Sequence, residues 1–306
     1  MPLYKGTTEI TGGKLYKGTT EIMNVYKGST LVFQSTYSAD FLVVGGGGAG
    51  VRSNQSPAGG GGAGGYRTSY SGGSGVSGGN SSLEAPITLE PGVTYTATIG
   101  LGATYYPGGK GSNSSFIGGT VNITSLGGGA GINSDADGGS GGGTRQTSGS
   151  TSPQGLGTSG QGSNGGRASG PYYTASALGG GGGGGAGGVG SNYASNGAYS
   201  AAGGAGLYNT ITGSQVGYAG GANGHTTGIS VGATQSAFGV RSDGDAVANT
   251  GSAGTGPDGT GRSGSGVVII RIPTANYSGT TTGSPTVTTD GTDTIIKFTG
   301  TGTYTA

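Results

Sequence analysis

Three groups of residues in this chain have the types and spacing that chemistry requires. Gly45, Gly47 and Gly50 fit G-x-G-x-x-G directly after the strand-like run Phe41 to Val44. That is the opening of a dinucleotide fingerprint, whose glycines let backbone approach a pyrophosphate. The context then fails. Only Val51 to Ser56 are available for a helix before Pro57, and no strand ending in an acidic residue follows about 20 residues on. Asn133, Asp135 and Asp137, with Gly138, occupy positions one, three, five and six of a calcium-type loop. Position twelve is Thr144 in place of a bidentate glutamate, so an Asx-rich turn and a cation loop both remain open. Asp243 and Asp245 form a possible carboxylate pair, or two solvated loop charges. His225 is the only histidine and there are no cysteines, which removes multi-histidine and thiolate metal sites. No G-x-S-x-G elbow sits between a strand and a helix. The residues therefore predict no enzyme and no cofactor, and no metal site beyond the open question at Asn133 to Asp137.

The tyrosines form a different kind of set. Tyr105, Tyr106, Tyr172, Tyr173, Tyr193, Tyr199, Tyr208 and Tyr218 lie in segments that separate glycine tracts, among serine, asparagine and glycine. This mixture suits a binding surface, because tyrosine gives large rigid contacts and the small polar residues give adaptable hydrogen bonds. Aromatic faces also stack on sugars. The alternative is structural: the same rings can cover a glycine scaffold as its side-chain coat.

The elements that must position these residues are dominated by glycine, 81 of 306 residues. Glycine is entropically costly to order, so such a chain either stays disordered or packs backbone against backbone. Disorder goes with high charge and few aromatics. Here charged residues are 8%, the net charge is +1 and there are 17 tyrosines, which favours packing. The same near-neutrality argues against nucleic acid or an anionic membrane as partner. The first residues carry no signal-peptide apolar region, and the apolar runs Phe41 to Val44 and Val267 to Ile270 are too short to insert in a membrane.

A repeat fills residues 1–34. Tyr4-Lys5-Gly6-Thr7-Thr8-Glu9-Ile10 recurs from Tyr16 to Ile22 and returns degenerate from Tyr26 to Val32. Each copy reads as strand, Lys-Gly turn, strand. Isolated hairpins are marginal in water, so the copies must stack as a meander or meet other chains. Further strands are expected at 36–44, at 93–99, twice within 115–126, at 266–272, at 294–299 and at 302–306. No ten-residue stretch has a convincing helical period.

The tracts Gly45 to Gly50, Gly59 to Gly65 and Gly179 to Gly188 sit inside this β frame. Collagen is excluded, because glycine is not strictly every third residue and there are only 10 prolines. The remaining ordered form is a left-handed polyglycine-II helix with three residues per turn, whose N–H and C=O groups must pair with neighbours. The expected fold is thus mainly β and irregular: short strands in a small sandwich framing a stack of polyglycine-II helices, with no significant α-helix. The expected domains are a hairpin repeat at 1–35 for attachment or oligomerisation and a glycine-rich domain at 36–306.

Several of these runs form a familiar series. They are Phe41 to Gly50, Gly59 to Tyr66, Pro91 to Gly100, Ser114 to Phe116, Ser125 to Gly131, Gly264 to Arg271 and Thr294 to Thr305. In this order they resemble the glycine-rich domain of tailed-bacteriophage tail-fibre proteins. The middle is also similar to the tip adhesins of T-even-type phages, while the repeat at 1–34 departs from their attachment domain. The resemblance implies a virion protein at a tail-fibre or tail-spike tip. It implies binding to a host cell-surface glycan or outer-membrane protein through loops between glycine motifs. Other tail proteins and a homotrimer follow from the same resemblance. Two competing classes are a purely structural glycine-rich virion or wall protein and an ice-binding bundle. The first expects regular repeats, whereas 101–262 are irregular. The second demands a flat face of alanine or threonine, for which the sequence shows no period.

Overall fold

The computed structural model describes residues 3–5, 8–10, 15–17, 20–22, 24–27, 30–50, 58–104, 109–132, 135–144, 153–168, 179–193, 201–225, 238, 245–254 and 262–306. Its strands run antiparallel. Among the described residues there is no α-helix, only 3₁₀ geometry such as the turn Thr274–Asn276.

The repeat forms three hairpins, each a two-stranded sheet of its own. They are β1 (Leu3–Lys5) with β2 (Thr8–Ile10), β3 (Leu15–Lys17) with β4 (Thr20–Ile22), and β5 (Asn24–Lys27) with β6 (Thr30–Gln34). The first two share one register: Leu3 faces Ile10, Tyr4 faces Glu9 and Lys5 faces Thr8, as Leu15 faces Ile22, Tyr16 faces Glu21 and Lys17 faces Thr20. In the third copy Val25 faces Phe33 and Tyr26 faces Leu31, so a one-residue irregularity absorbs the degenerate repeat and restores its register.

The chain then enters a sandwich built from both of its ends. One sheet holds β7 (Tyr37–Val44), β8 (Tyr66–Thr68), β9 (Ile87–Leu89), β15 (Val267–Pro273), β17 (Thr286–Asp290) and β18 (Asp293–Phe298). Its order is β17-β18-β15-β7-β8, with β9 also on β7. The other sheet, in the order β12-β11-β10-β19-β16, holds β10 (Thr94–Thr98), β11 (Ser114–Gly118), β12 (Val121–Ser125), β16 (Thr280–Thr282) and β19 (Gly302–Thr305). A small hairpin, β13 (Leu207–Asn209) with β14 (Val216–Tyr218), stands apart.

Alternation assigns the faces. On β7, Phe41 and Val43 join Val268, Ile270, Phe298, Tyr95, Phe116 and Tyr304 in the core between the two sheets. Leu42 and Val44 point the other way and join Val267, Ile269, Tyr66, Leu207 and Tyr218 in a second core. Phe41 to Val44 of β7 and Val267 to Ile270 of β15 are buried on both faces, which is why these stretches are continuous apolar runs. Strand β10 has one wet face, and its alternation is correspondingly clean: Tyr95 and Ala97 are buried between exposed threonines. The wet face of that sheet is a threonine face after all, assembled from strands distant in sequence. Thr94 bonds Thr305 across strands (2.9 Å) and Thr282 bonds Thr303 (2.8 Å).

Between the sandwich strands along the chain come the glycine tracts, and their backbones bond one another in a regular order. In the tract Gly179 to Ala186, Gly180, Gly183 and Ala186 donate to the carbonyls of His225, Ala222 and Ala219 (3.0, 2.8 and 2.9 Å). Gly181 and Gly184 donate to Thr144 and Gly141 (3.0 and 2.8 Å), and Gly182 and Gly185 to Ser191 and Gly188 (both 2.9 Å). Every third residue thus meets the same neighbour, and three successive residues meet three different neighbours. The pattern recurs: Gly45 and Gly48 donate to Gly65 and Gly62, while Gly46 and Ala49 donate to Ser112 and Gly109. Glycine is required because neighbouring backbones touch. A Cβ on Gly47 would fall 2.6 Å from the Ser252 carbonyl carbon, inside its oxygen.

Candidate functional site

The tracts leave the sandwich in register with its strands. Gly45 continues β7, Gly65 leads into β8, and Gly266 leads into β15. Their other ends also pair with each other. Ala49 donates to Gly109 (3.1 Å), Gly131 to Ala49 (2.9 Å), and Ala49 bridges Gly254. His225 donates to Ala58 (2.8 Å) and Gly180 to His225 (3.0 Å). Thr144 donates to Gly166 (3.0 Å), Tyr193 to Arg167 (2.8 Å), and Gly224 to Ala201 (2.8 Å). These residues flank segments 51–57, 105–108, 133–134, 145–152, 169–178, 194–200 and 255–261, and His225 precedes 226–237. The tract ends that carry these segments therefore converge on one end of the bundle, remote from the sandwich. Exposed side chains described there include Thr104, Lys110, Arg167, Ser191 and Asn192.

Of the eight tyrosines expected at a binding site, Tyr105, Tyr106, Tyr172, Tyr173 and Tyr199 lie outside the described residues. The other three are not brought together. Tyr193 stands at the remote end, half-buried, and its ring lies over Gly179, where a Cβ would collide with it. Tyr208 is half-buried on β13, near the sandwich, with its ring 4.8 Å from that of Phe238. Phe238 in turn covers Gly206. Tyr218 corrects the sequence reading. It is 1% exposed in the second core, 6.4 Å from the Tyr66 ring, and has no surface to offer a receptor. The alternation of β14 turns it inward against Leu207, its cross-strand partner.

Tyr218 carries a sharp consequence. Among the described residues its buried hydroxyl has no hydrogen-bond partner, and burial, then Tyr66, raises its pKa. An unpaired buried hydroxyl costs about 1–3 kcal/mol, so Tyr218→Phe is expected to stabilise the protein by about 1 kcal/mol at neutral pH. Burial likewise pushes the Tyr66 phenol from 10.0 up to about 12. A folded protein that keeps phenolic protons which the unfolded chain has released loses stability as pH rises. The loss begins near pH 10 and runs to about 12, and Tyr66 alone accounts for about 3 kcal/mol of it. Tyr218→Phe should shallow this alkaline loss. Urea unfolding at neutral and alkaline pH checks both effects, and a destabilised Tyr218→Phe protein would contradict the first.

Sequence reasoning missed the amides as scaffold parts. Asn113 Oδ1 accepts from the Gly127 N–H (2.9 Å), Asn164 Oδ1 from Gly157 (2.9 Å), Asn192 Oδ1 from Arg167 (2.7 Å) and Asn223 Oδ1 from Gly203 (2.9 Å). Gln161 Oε1 accepts from Leu126 (2.8 Å). They complete the backbone pairing where a neighbouring tract supplies no carbonyl. Their one signal in the sequence is that they neighbour glycine tracts.

The remaining candidates find structural partners. The N–H groups of Gly45 and Gly47 donate to Gly65 and Gly264 (2.9 and 3.0 Å), which leaves neither for a pyrophosphate. Asp137 Oδ1 accepts from the Leu156 N–H of a distant segment (2.7 Å), while Asn133 lies outside the described residues. Asp245 Oδ1 accepts from the Arg262 N–H (2.7 Å), and Asp243 lies outside. Among the described residues no group of three or more histidine, aspartate or glutamate side chains comes together, and no helix is long and apolar enough to cross a membrane.

A family model described as a glycine-rich domain matches residues 25–273, from the third hairpin through β15. The chain belongs to this glycine-rich domain family. The match covers the sandwich strands that bracket the bundle and every glycine tract described above. The first two hairpins and the strands β16 to β19 lie outside the matched glycine-rich domain. Comparison with curated proteins and with solved structures found no match.

Proposed function

We propose that this glycine-rich domain is a non-enzymatic receptor-binding protein at a bacteriophage tail-fibre or tail-spike tip. In this reading the tracts are polyglycine-II helices, supported by backbone bonds that repeat every third residue in three directions. The sandwich anchors the bundle, and residues 1–35 attach it to other tail proteins and join three copies of the chain. The receptor is a host-surface glycan or outer-membrane protein. The convergence of tract ends at the end remote from the sandwich carries the reading. A rigid scaffold with many tract ends converging at one end can change specificity there without refolding. The low charge of the chain suits stacking and hydrogen bonding more than electrostatic capture. Tyr218 has no part in the surface, and Tyr208, near the sandwich, is not at the converging end.

A purely structural role is the second reading, favoured by the way Tyr193 covers Gly179. Adsorption decides between them. In phage carrying Tyr172→Ala with Tyr173→Ala, or Tyr193→Ala with Tyr199→Ala, host adsorption is expected to fall about tenfold or more. Normal adsorption with both folded double variants would leave the structural role.

A further inference from the structure

The hairpins at 3–34 are unusual in their economy. Each is a sheet of two strands that pairs with no other strand among the described residues. Such sheets are marginal in water unless something covers them. Their registers say what could. Residues directly opposite in an antiparallel pair share a face, and residues two apart along a strand share it too. In the first hairpin Leu3, Lys5, Thr8 and Ile10 therefore share one face, and Tyr4 and Glu9 the other. The second repeats this with Leu15, Lys17, Thr20 and Ile22 against Tyr16 and Glu21. In the third, the irregularity after Val25 keeps Val25 across from Phe33 and Lys27 across from Thr30, with Tyr26 and Leu31 together.

The first two hairpins thus each have an aliphatic face bearing lysine and an aromatic face bearing glutamate, while the third has a lysine but no glutamate. The two faces are complementary to each other in charge and both have apolar surface to bury. Neither is complementary to itself, since lysine would meet lysine and glutamate would meet glutamate. A two-fold interface, which places a surface on its own copy, is disfavoured. A head-to-tail interface, which places one face on the other, is favoured, and it closes into a ring where the rotation between copies closes.

From this we infer that residues 3–34 bind the same residues of other copies of this chain. The Leu/Ile/Lys face of each of the first two hairpins packs on the Tyr/Glu face of the equivalent hairpin in its neighbour. Two such hairpins in tandem make two layers of the same contact, which multiplies a weak pairing. The inference rests on the oligomeric role of 1–35 proposed above and specifies the faces that meet.

The test uses the full chain and its mass in solution across a range of concentrations. The unaltered protein is expected to be oligomeric. Lys5→Glu with Lys17→Glu makes both faces acidic and should weaken self-association about tenfold or more. Adding Glu9→Lys and Glu21→Lys exchanges the signs of the two faces and should restore it. Cross-strand contacts within a hairpin cannot produce that rescue, because Lys5 and Glu9 lie on opposite faces. Unfolding of the sandwich is followed in parallel and should be unchanged in every variant. A monomeric unaltered protein would overturn both this inference and the oligomeric role. An oligomer indifferent to the lysine changes, or one not restored by the exchange, would overturn the head-to-tail contact alone.

Discussion

Gly182→Val is expected to destabilise the protein by about 3 kcal/mol or more, at the upper end of what overpacking costs. Gly182 lies in the middle of the longest tract. Its N–H donates to Ser191 (2.9 Å) and its carbonyl accepts from Gly166 (2.7 Å). A Cβ there would stand 2.6 Å from the Ala202 carbonyl carbon, inside the oxygen that carbon carries. A flexible side chain could swing away from a new methyl, but here the obstacle is backbone. Moving it breaks bonds: Ser191, a neighbour of Gly182, also donates to the Ala202 carbonyl (2.9 Å). Valine adds branching at the one atom for which there is least room. Gly300→Val is the control, because nothing lies within 4 Å of its Cβ position, and surface changes of that kind stay within about 0.5 kcal/mol. Thermal unfolding of the two variants separates them. Equal midpoints would mean that the tracts are not packed backbone to backbone.

The strands that sequence made legible are those whose side chains carry a pattern. Val267 to Ile270 is apolar throughout because β15 is covered there on both faces, and Thr94 to Thr98 alternates because β10 is covered on one. The strands that escaped are short or polar. Strand β9 is three residues long, and its partner β7 lies about 50 residues earlier in the chain. Strand β17 is threonine-rich, with four of its five residues exposed, so it offers no buried periodicity to read. The threonine face escaped for a related reason. Thr96, Thr282 and Thr303 come together only through the cross-strand order of β10, β19 and β16.

Within the tracts the limit is of another kind. Glycine has no side chain, so a run such as Gly179 to Gly185 declares that backbones approach closely but not which ones. The pairing of Gly183 with Ala222 and of Gly184 with Gly141 is set by how the whole bundle nests. The candidate site rests on composition alone, tyrosine, serine and asparagine between tracts, and composition does not assign a role to each residue. Tyr218 and Tyr193 occur in similar local sequence, yet one is a core residue and the other covers a tract at the remote end. Asn192 stands in a tyrosine-bearing segment, yet its amide, like that of Asn223, completes backbone pairing.

The central claim is that the glycine tracts are a hydrogen-bonded bundle as firm as the sandwich that frames it. Amide hydrogen exchange tests it most directly, because the tracts have backbone N–H groups and almost nothing else to observe. Each amide from Gly180 to Ala186 donates to a carbonyl of a neighbouring segment, and a bundle of this kind opens as a unit. Its amides are expected to exchange with an opening free energy of at least about 5 kcal/mol, roughly several-thousandfold slower than free glycine amides. They should match the amides of Val267 to Ile272 in β15. Exchange of Gly180 to Ala186 at the rate of an unstructured chain, with β15 still protected, would contradict the account.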